Sequence, residues 1–191
     1  MSVIRYSDIL NERIRGTKAS NRNGSSIRLE DAMDNIVNVL MEVAASGGKV
    51  IFIGNGGSAS IASHMAVDFW KNGNIQAISF NDASLLTCIS NDNGYENVFS
   101  IPINVFAKEG DFLVAISSSG SSPNILKAVD AACSKKCRIA TLSGFKENNP
   151  LRKKGDINLF VEDTSYGIVE TAHAMLLHYV MDRIIERHRN V

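Results

Sequence analysis

The chain has 191 residues, of which 45% are hydrophobic and 21% charged, and its 20 basic and 20 acidic residues give a formal net charge of zero. This length and composition are typical of one soluble globular domain, with or without an appendage. The balanced charge argues against nucleic-acid or membrane-surface binding as the main activity. No apolar run approaches the ~20 residues of a membrane-spanning helix, and the N-terminus lacks the apolar stretch of a secretion signal. Because Cys88, Cys133 and Cys137 form no CxxC pair, we expect a reduced, cytoplasmic compartment.

The first 25 residues are predicted to form a separate helical extension. An amphipathic stretch at 4–14 is followed by a polar, turn-rich segment at 16–25. Residues 26–191 are predicted to form the main domain, which begins with a helix over 29–45 that ends at two glycines.

From residue 49 onward, short apolar runs rich in β-branched residues alternate with helical patterns. This alternation predicts an α/β fold with a doubly wound, five-stranded parallel sheet that has helices on both faces. The predicted strands cover 49–53, 76–80, 112–116, 138–142 and 157–161. The predicted helices cover 58–70, 83–90, 96–108, 123–134 and 168–188.

Two loops that follow predicted strands have the composition of phosphate-binding loops. The segment 54–58 reads GNGGS, and the segment 117–122 reads SSSGSS. Hydroxyls and backbone N–H groups in front of a helix bind anions, and neither loop has the lysine of a triphosphate-binding loop, which favours a phosphate monoester. Taken alone, the second loop is as typical of a solvated turn as of an anion-binding loop. Two such loops at one sheet edge favour a ligand site.

A nicotinamide-dependent dehydrogenase is an alternative to a sugar-phosphate site. Gly54, Gly56 and Ala59 satisfy the loose dinucleotide-binding pattern. Asp82, however, comes later in the chain than the ribose-binding acid of that pattern. The two loops therefore predict a sugar phosphate rather than a dinucleotide.

Two histidine–carboxylate pairs are candidates for a metal site or for acid–base catalysis. His64 lies four residues before Asp68, and Glu170 lies eight residues before His178. Each spacing can place both side chains toward one site. Nitrogen and oxygen ligands of this kind suit a divalent metal ion. His173 lies between Glu170 and His178 and is left outside the predicted site.

Four segments resemble motifs of the sugar isomerase (SIS) family, and in particular of its phosphoheptose isomerases. They are GNGGSA at 54–59, SNDNGY at 90–95, SSSGSSPN at 117–124 and YGIVETAHAMLLH at 166–178. The resemblance covers the chain from about residue 29 to the end. It implies a flavodoxin-like fold, conversion of sedoheptulose 7-phosphate to a heptose 7-phosphate, a zinc ion, and a homotetramer with active sites between subunits.

The resemblance also implies roles for individual residues. The metal-site candidates are His64, Asp68, Glu170 and His178, and the acid–base candidates are His178 with either Glu170 or Asp68. The family has a glutamate where this chain has Asp68 and a glutamine where it has Glu170. It also has an aspartate just before that glutamine, where this chain offers Gly167 or Ile168. Which carboxylate acts as the base therefore stays open.

Phosphate and sugar contacts are predicted at the two loops. The phosphate-binding candidates are Ser58, Ser117, Ser118, Ser119 and Ser122, together with Gly56 and Gly57. Asn55 and Asp92 are expected to contact sugar hydroxyls, although Asp92 in the NDNG segment is equally typical of a turn. Lys71 and the arginines of the first 28 residues are candidates to meet the phosphate charge from a neighbouring subunit.

A homotetramer is also predicted from the apolar side of the last helix, which exceeds what one helix packed on one sheet face needs. Its members are Ile168, Ala172, Met175, Leu176, Val180, Ile184 and Ile185. Two other functions stay open within the family. One is a non-catalytic protein that binds the bacterial replication initiator, and the other is an isomerase of a different phosphosugar.

Overall fold

The computed structural model describes residues 1–189 as a seven-stranded sheet between two layers of helices. The strands are β1 (Lys18–Asn21), β2 (Ser26–Ile27), β3 (Val50–Gly54), β4 (Ala77–Ser79), β5 (Phe112–Ser117), β6 (Arg138–Ser143) and β7 (Ile157–Phe160). Their spatial order is β2-β1-β7-β6-β5-β3-β4. Strands β7, β6, β5, β3 and β4 run parallel, whereas β1 is antiparallel to both β7 and β2.

Seven α-helices accompany the strands within the same residues. They are α1 (Val3–Arg15), α2 (Leu29–Ala45), α3 (Gly57–Asn72), α4 (Ala83–Asn93), α5 (Ser100–Phe106), α6 (Pro123–Ser134) and α7 (Tyr166–Arg189). The residues at their N-termini explain where some of these helices begin. The Asp82 carboxylate accepts the first N–H groups of α4, and Pro123 occupies the first turn of α6. None of the helices formed by residues 1–189 is both long and apolar enough to span a membrane.

The predicted α/β fold is confirmed, and the number of strands is corrected from five to seven. All five predicted strands are present and parallel, with small shifts at their ends. The two further strands come from residues 18–27, which the sequence predicts to be an extension and turns. Lys18–Asn21 pairs with Ile157–Phe160 at the sheet edge. This short, polar segment has no apolar alternation, so periodicity does not indicate a strand there.

The two faces of the sheet pack against different helices. In β3, Phe52 points to one face, and Ile51 and Ile53 point to the other, as the pleat of a strand requires. The Phe52 face packs against α2, α3 and α7, and the opposite face packs against α4, α5 and α6. Helices α3 and α7, which carry the predicted metal ligands, therefore lie on the same side of the sheet and pack against each other.

The order of the strands defines where a ligand is expected. Strand β4 lies on one side of β3, and β5 lies on the other side. The winding of the chain thus reverses between β3 and β5, and parallel sheets bind ligands at the carboxyl ends of strands at such a point.

Helix α1 and the β1–β2 hairpin are attached to the rest of the molecule. Leu10 and Ile14 of α1 pack against a small cluster that includes Val169. The Nε of Arg13 donates to the Asp163 carboxylate at 2.9 Å. The predicted boundary after residue 25 falls inside the hairpin, and the division into an extension and a main domain stays a prediction.

Most of the apolar side of α7 is covered within the chain. Ile168, Ala172, Leu176, Val180 and Ile184 are buried, and Ile185 is half-buried. Met175, the remaining member of the predicted set, is 43% exposed. Most of the apolar residues of α7 are therefore buried in the core of a single chain.

Candidate active site

A cavity of about 110 Å³, called the serine-lined cavity below, lies at the carboxyl ends of β3 and β5, where α3 and α6 begin. It is lined by Asn55, Ser58, Ser117, Ser118, Ser119, Ser122, Tyr166 and Glu170. The two predicted loops thus meet in one site, to which α7 adds Tyr166 and Glu170. No lysine or arginine among residues 1–189 lines this cavity. An anion there would depend on hydroxyls and on helix N-terminal N–H groups.

Glycine at two positions shapes the first loop. Gly56 has a φ of 55°, in the left-handed region that glycine adopts without a steric penalty. Gly57 is the first residue of α3, and a Cβ atom there would overlap the Glu170 carboxylate. The missing side chain lets Glu170 lie against the N-terminus of α3, where the helix dipole favours a negative charge.

The serine loop, residues 117–122, holds one buried hydroxyl that has no hydrogen-bond partner among residues 1–189. Ser117 Oγ accepts the Gly120 N–H at 3.2 Å, and Ser119 Oγ accepts the Ser121 N–H at 3.3 Å. Ser118 Oγ is buried and has no hydrogen-bond partner within the described part of the chain. Because an unsatisfied buried polar group costs about 1–3 kcal/mol, a ligand atom is expected to bind this hydroxyl.

A second group of predicted residues lies where α3 packs against α7. His64 Nε2 is 3.4 Å and His178 Nδ1 is 3.8 Å from Oδ2 of Asp68, and the two imidazole centroids are 5.2 Å apart. One ligand atom from each of these residues lies within 4.8 Å of the other two. Glu170 is not part of this group, and it lines the serine-lined cavity. That all four residues form one metal site stays a prediction.

The model of the SIS domain family matches residues 24–144, which contain both loops and most of the parallel sheet. The chain belongs to the SIS domain family.

Relatives of this SIS protein include phosphoheptose isomerases from several bacteria. The chain is 34% identical over 166 residues to phosphoheptose isomerase from Helicobacter pylori, with 84% of this chain and 85% of that protein covered. It is 36% identical over 163 residues to the Serratia proteamaculans protein of the same name, with 82% of this chain and 83% of that protein covered. The structure of phosphoheptose isomerase GmhA from Neisseria gonorrhoeae is similar, with a TM-score of 0.82 at 27% identity over 95% of this chain and 94% of that chain.

Asp92 and the candidate basic residues of this SIS protein are not among the residues that line the serine-lined cavity. Asp92 is exposed in α4, where its Oδ1 accepts from Asn91 Nδ2 at 2.8 Å. Three of the N-terminal arginines form ion pairs elsewhere. The pairs are Arg13–Asp163, Arg22–Asp156 and Arg28–Asp31. Within one chain, neither Asp92 nor these cations contribute to the lining of the cavity.

His173 is a core residue of α7. It is fully buried, and its Nε2 lies 3.2 Å from the Ser143 carbonyl oxygen. Burial lowers the pKa of His173 to about 4, although the hydrogen bond to Ser143 opposes this shift. The imidazole is therefore neutral at physiological pH and has no access to a ligand.

Three residues of the site were missed by the sequence analysis. Tyr166 lines the cavity, and Tyr95 and Asn124 form hydrogen bonds with Asn55. All three lie within the SIS motif segments quoted above. Their roles depend on contacts between loops far apart in the sequence, which no local pattern indicates.

Proposed function

We propose that this protein is an aldose–ketose isomerase that interconverts sedoheptulose 7-phosphate and D-glycero-D-manno-heptose 7-phosphate. The names of its relatives support the reaction and the seven-carbon substrate. The observation that carries the proposal is the unpartnered Ser118 hydroxyl, buried in a cavity that also contains the Glu170 carboxylate. An anion-binding group and a potential base thus occupy one pocket.

The phosphate end of the substrate is assigned to the serine loops. Ser58, Ser118 and Ser122 offer hydroxyls from both loops to one cavity. The first turns of α3 and α6 add N–H groups that lack partners inside their helices. Hydroxyl and amide donors without a nearby lysine suit a phosphate monoester bound without magnesium.

The reaction moves a proton between adjacent carbons through an enediol, which requires a base and an acid. We assign the base to Glu170, because its carboxylate lies in the cavity, whereas the Asp68 carboxylate lies beside two imidazoles. In the metal-free protein, His178 is the candidate for proton transfer at the sugar oxygens, and in the metal-bound protein it is a ligand instead.

The donor chemistry of His64, Asp68 and His178 fits zinc, since two imidazole nitrogens and one carboxylate oxygen leave a coordination position open. We propose that these three residues hold the ion. A bound zinc ion supplies Lewis-acid polarisation of a substrate oxygen. Asp68 Oδ2 lies within 4 Å of a nitrogen from each imidazole, which places the three donor groups together.

Two further properties are part of the proposal. We propose a cytoplasmic location, which the unpaired Cys88, Cys133 and Cys137 support. We also propose a homotetramer, which the resemblance to phosphoheptose isomerases and the exposed apolar residues of α3 and α7 support.

The test is conversion of sedoheptulose 7-phosphate in D₂O with zinc added, followed by NMR. We expect the heptose 7-phosphate to appear with deuterium at C2, because a base that holds the transferred proton exchanges it with solvent. Ser118→Ala is expected to raise KM about tenfold. Ser121→Ala is the matched control, since Ser121 is exposed and does not line the cavity. Absence of turnover with every five- to seven-carbon sugar phosphate would refute the proposal.

A further inference from the structure

Two asparagines join the loops that form the serine-lined cavity. Asn55 follows β3, and Asn124 lies in the first turn of α6 and is 2% exposed. Asn55 Nδ2 donates to Asn124 Oδ1 at 2.9 Å, and Asn124 Nδ2 donates to Asn55 Oδ1 at 2.8 Å. This reciprocal pair fixes both the separation of the two amides and their relative orientation.

The backbone of α6 determines which way round the pair is bound. The Ile125 N–H donates to Asn124 Oδ1 at 3.0 Å. Because a backbone N–H can only donate, the Asn124 atom that it meets is the oxygen. The same oxygen must then receive the N–H of Asn55, and the carbonyl oxygen of Asn55 must face the Asn124 amino group.

Tyr95 completes the set of bonds to Asn55. The Tyr95 hydroxyl lies 3.1 Å from Asn55 Oδ1, and because that atom is an oxygen, the hydroxyl donates to it. Both acceptor positions of this oxygen are therefore occupied, by Asn124 and by Tyr95. Within the described part of the chain, the second amide hydrogen of Asn55 has no acceptor and is available to a ligand.

The free hydrogen belongs to a side chain at the junction of two cavities. Asn55 lines the serine-lined cavity and an adjoining one of about 300 Å³, whose lining also includes Tyr95 and Asn124. An unrestrained asparagine could present either its oxygen or its amino group there. Asn55, held by Asn124 and Tyr95, has only a hydrogen-bond donor left for a ligand. Phosphate and sugar oxygens accept hydrogen bonds from such a donor.

We propose that Asn124 is a positioning residue that acts through Asn55. It holds the amide of Asn55 as a donor to an oxygen of the sugar phosphate and keeps the β3–α3 and β5–α6 loops at a fixed separation. Asn124 itself does not line the serine-lined cavity. The inference rests on the proposed function, because the sugar phosphate is the ligand that Asn55 would bind.

The test is a double-mutant cycle with Asn124→Ala, Asn55→Ala and the double variant, in which kcat and KM are measured with sedoheptulose 7-phosphate. Asn124→Ala is expected to raise KM about tenfold, with a smaller change in kcat. In the Asn55→Ala background, the same substitution should change KM less than about twofold, because residues that act as a unit are not additive. Fully additive effects on KM would overturn the proposal.

Asn158→Ala is the matched control for loss of a buried asparagine. Asn158 is fully buried in β7 and bonds Thr141 at 2.8 Å, but it does not line the cavity. We expect it to lower the free energy of unfolding without changing KM. A rise in KM equal to that of Asn124→Ala would show that any buried amide has the same effect and would overturn the positioning role.

A second variant and an NMR measurement that needs no sugar phosphate keep the proposal testable. They apply if Asn124→Ala does not fold or if the proposed function is wrong. Asn124→Asp keeps the acceptor for Ile125 but removes the donor to Asn55. In NMR spectra, the side-chain amide signals of Asn55 should change position in this variant, because Asn55 Oδ1 loses the hydrogen bond from residue 124. In the wild type only, titration with inorganic phosphate should shift that signal. Identical Asn55 signals in both proteins would overturn the proposal even if sedoheptulose 7-phosphate is not a substrate.

Discussion

The carboxylates of Glu170 and Asp68 have different surroundings, which bears on their chemistry. Glu170 lies against Gly57 in the serine-lined cavity, whereas Asp68 lies beside His64 and His178. A carboxylate bound by imidazoles or by a metal is a weak base, because its lone pairs are occupied. A carboxylate that faces the substrate keeps them available for a proton. This difference is why we propose Glu170, rather than Asp68, as the base.

Substitution can separate these two roles. Glu170→Gln is expected to lower kcat by about a hundredfold or more, since it removes a general base. Asp68→Asn should act mainly through metal affinity, so excess zinc should restore part of its activity. The double variant Asp68→Glu/Glu170→Gln has the residues that the phosphoheptose isomerase pattern has at both positions, and it should be more active than Glu170→Gln alone. If Glu170→Gln retains the wild-type kcat, Asp68 is the base.

His173 joins α7 to the end of β6 through its hydrogen bond to the Ser143 carbonyl. Since a carbonyl only accepts, Nε2 carries the proton, and Nδ1 has no partner within residues 1–189. Burial holds the pKa of His173 near 4, against an ordinary value of 6.5. The unfolded chain therefore binds a proton at this residue at a higher pH than the folded chain does.

This difference predicts acid-dependent stability. The contribution of neutral His173 is complete above about pH 6.5 and is lost as the pH falls toward 4, because protons favour the unfolded state in that window. Between pH 7 and pH 5, the free energy of unfolding should fall by about 2 kcal/mol more in the wild type than in His173→Gln. Urea denaturation at both pH values measures the difference. His188→Gln, at an exposed position, is the control and should behave like the wild type; equal losses in all three proteins would contradict the prediction.

The sequence predicts some helices and strands of this chain accurately and misses others. Strand β5 and helix α6 follow their predictions closely, because a buried apolar run and a proline-led helical pattern are local signals. The β1–β2 hairpin was missed, because it is held by pairing with a strand from the other end of the chain. The same reasoning applies to the site. Loop composition predicted the serine-lined cavity, whereas the pairing of Asn55 with Asn124 and the position of Glu170 depend on tertiary contacts.

The exposed apolar residues of α3 and α7 are the candidates for an association surface beside the proposed metal ligands. Val67 and Trp70 of α3 are 42% and 53% exposed, and Met175 and Tyr179 of α7 are 43% and 38% exposed. Met175 and Tyr179 also line a groove of about 130 Å³ together with Ile14, Leu29 and Met33. Exposed apolar residues in such a group are typical of association surfaces. They lie on the two helices that carry His64 and His178, so association there would enclose the proposed metal site.

We therefore predict that assembly and activity are lost together. Light scattering should give about four times the 20.8 kDa mass of the chain, since closed symmetric oligomers are the common solution and the phosphoheptose isomerases imply four copies. Trp70→Glu should shift the mass toward that of a single chain and lower activity, because it places a charge in an interface that excludes water. Thr87→Glu, at an exposed polar position of α4 on the other layer of helices, is the matched control and should leave both unchanged. A wild-type monomer with full activity at low concentration would show that the site is complete in one chain, and the exposed α3 and α7 residues would then need another explanation.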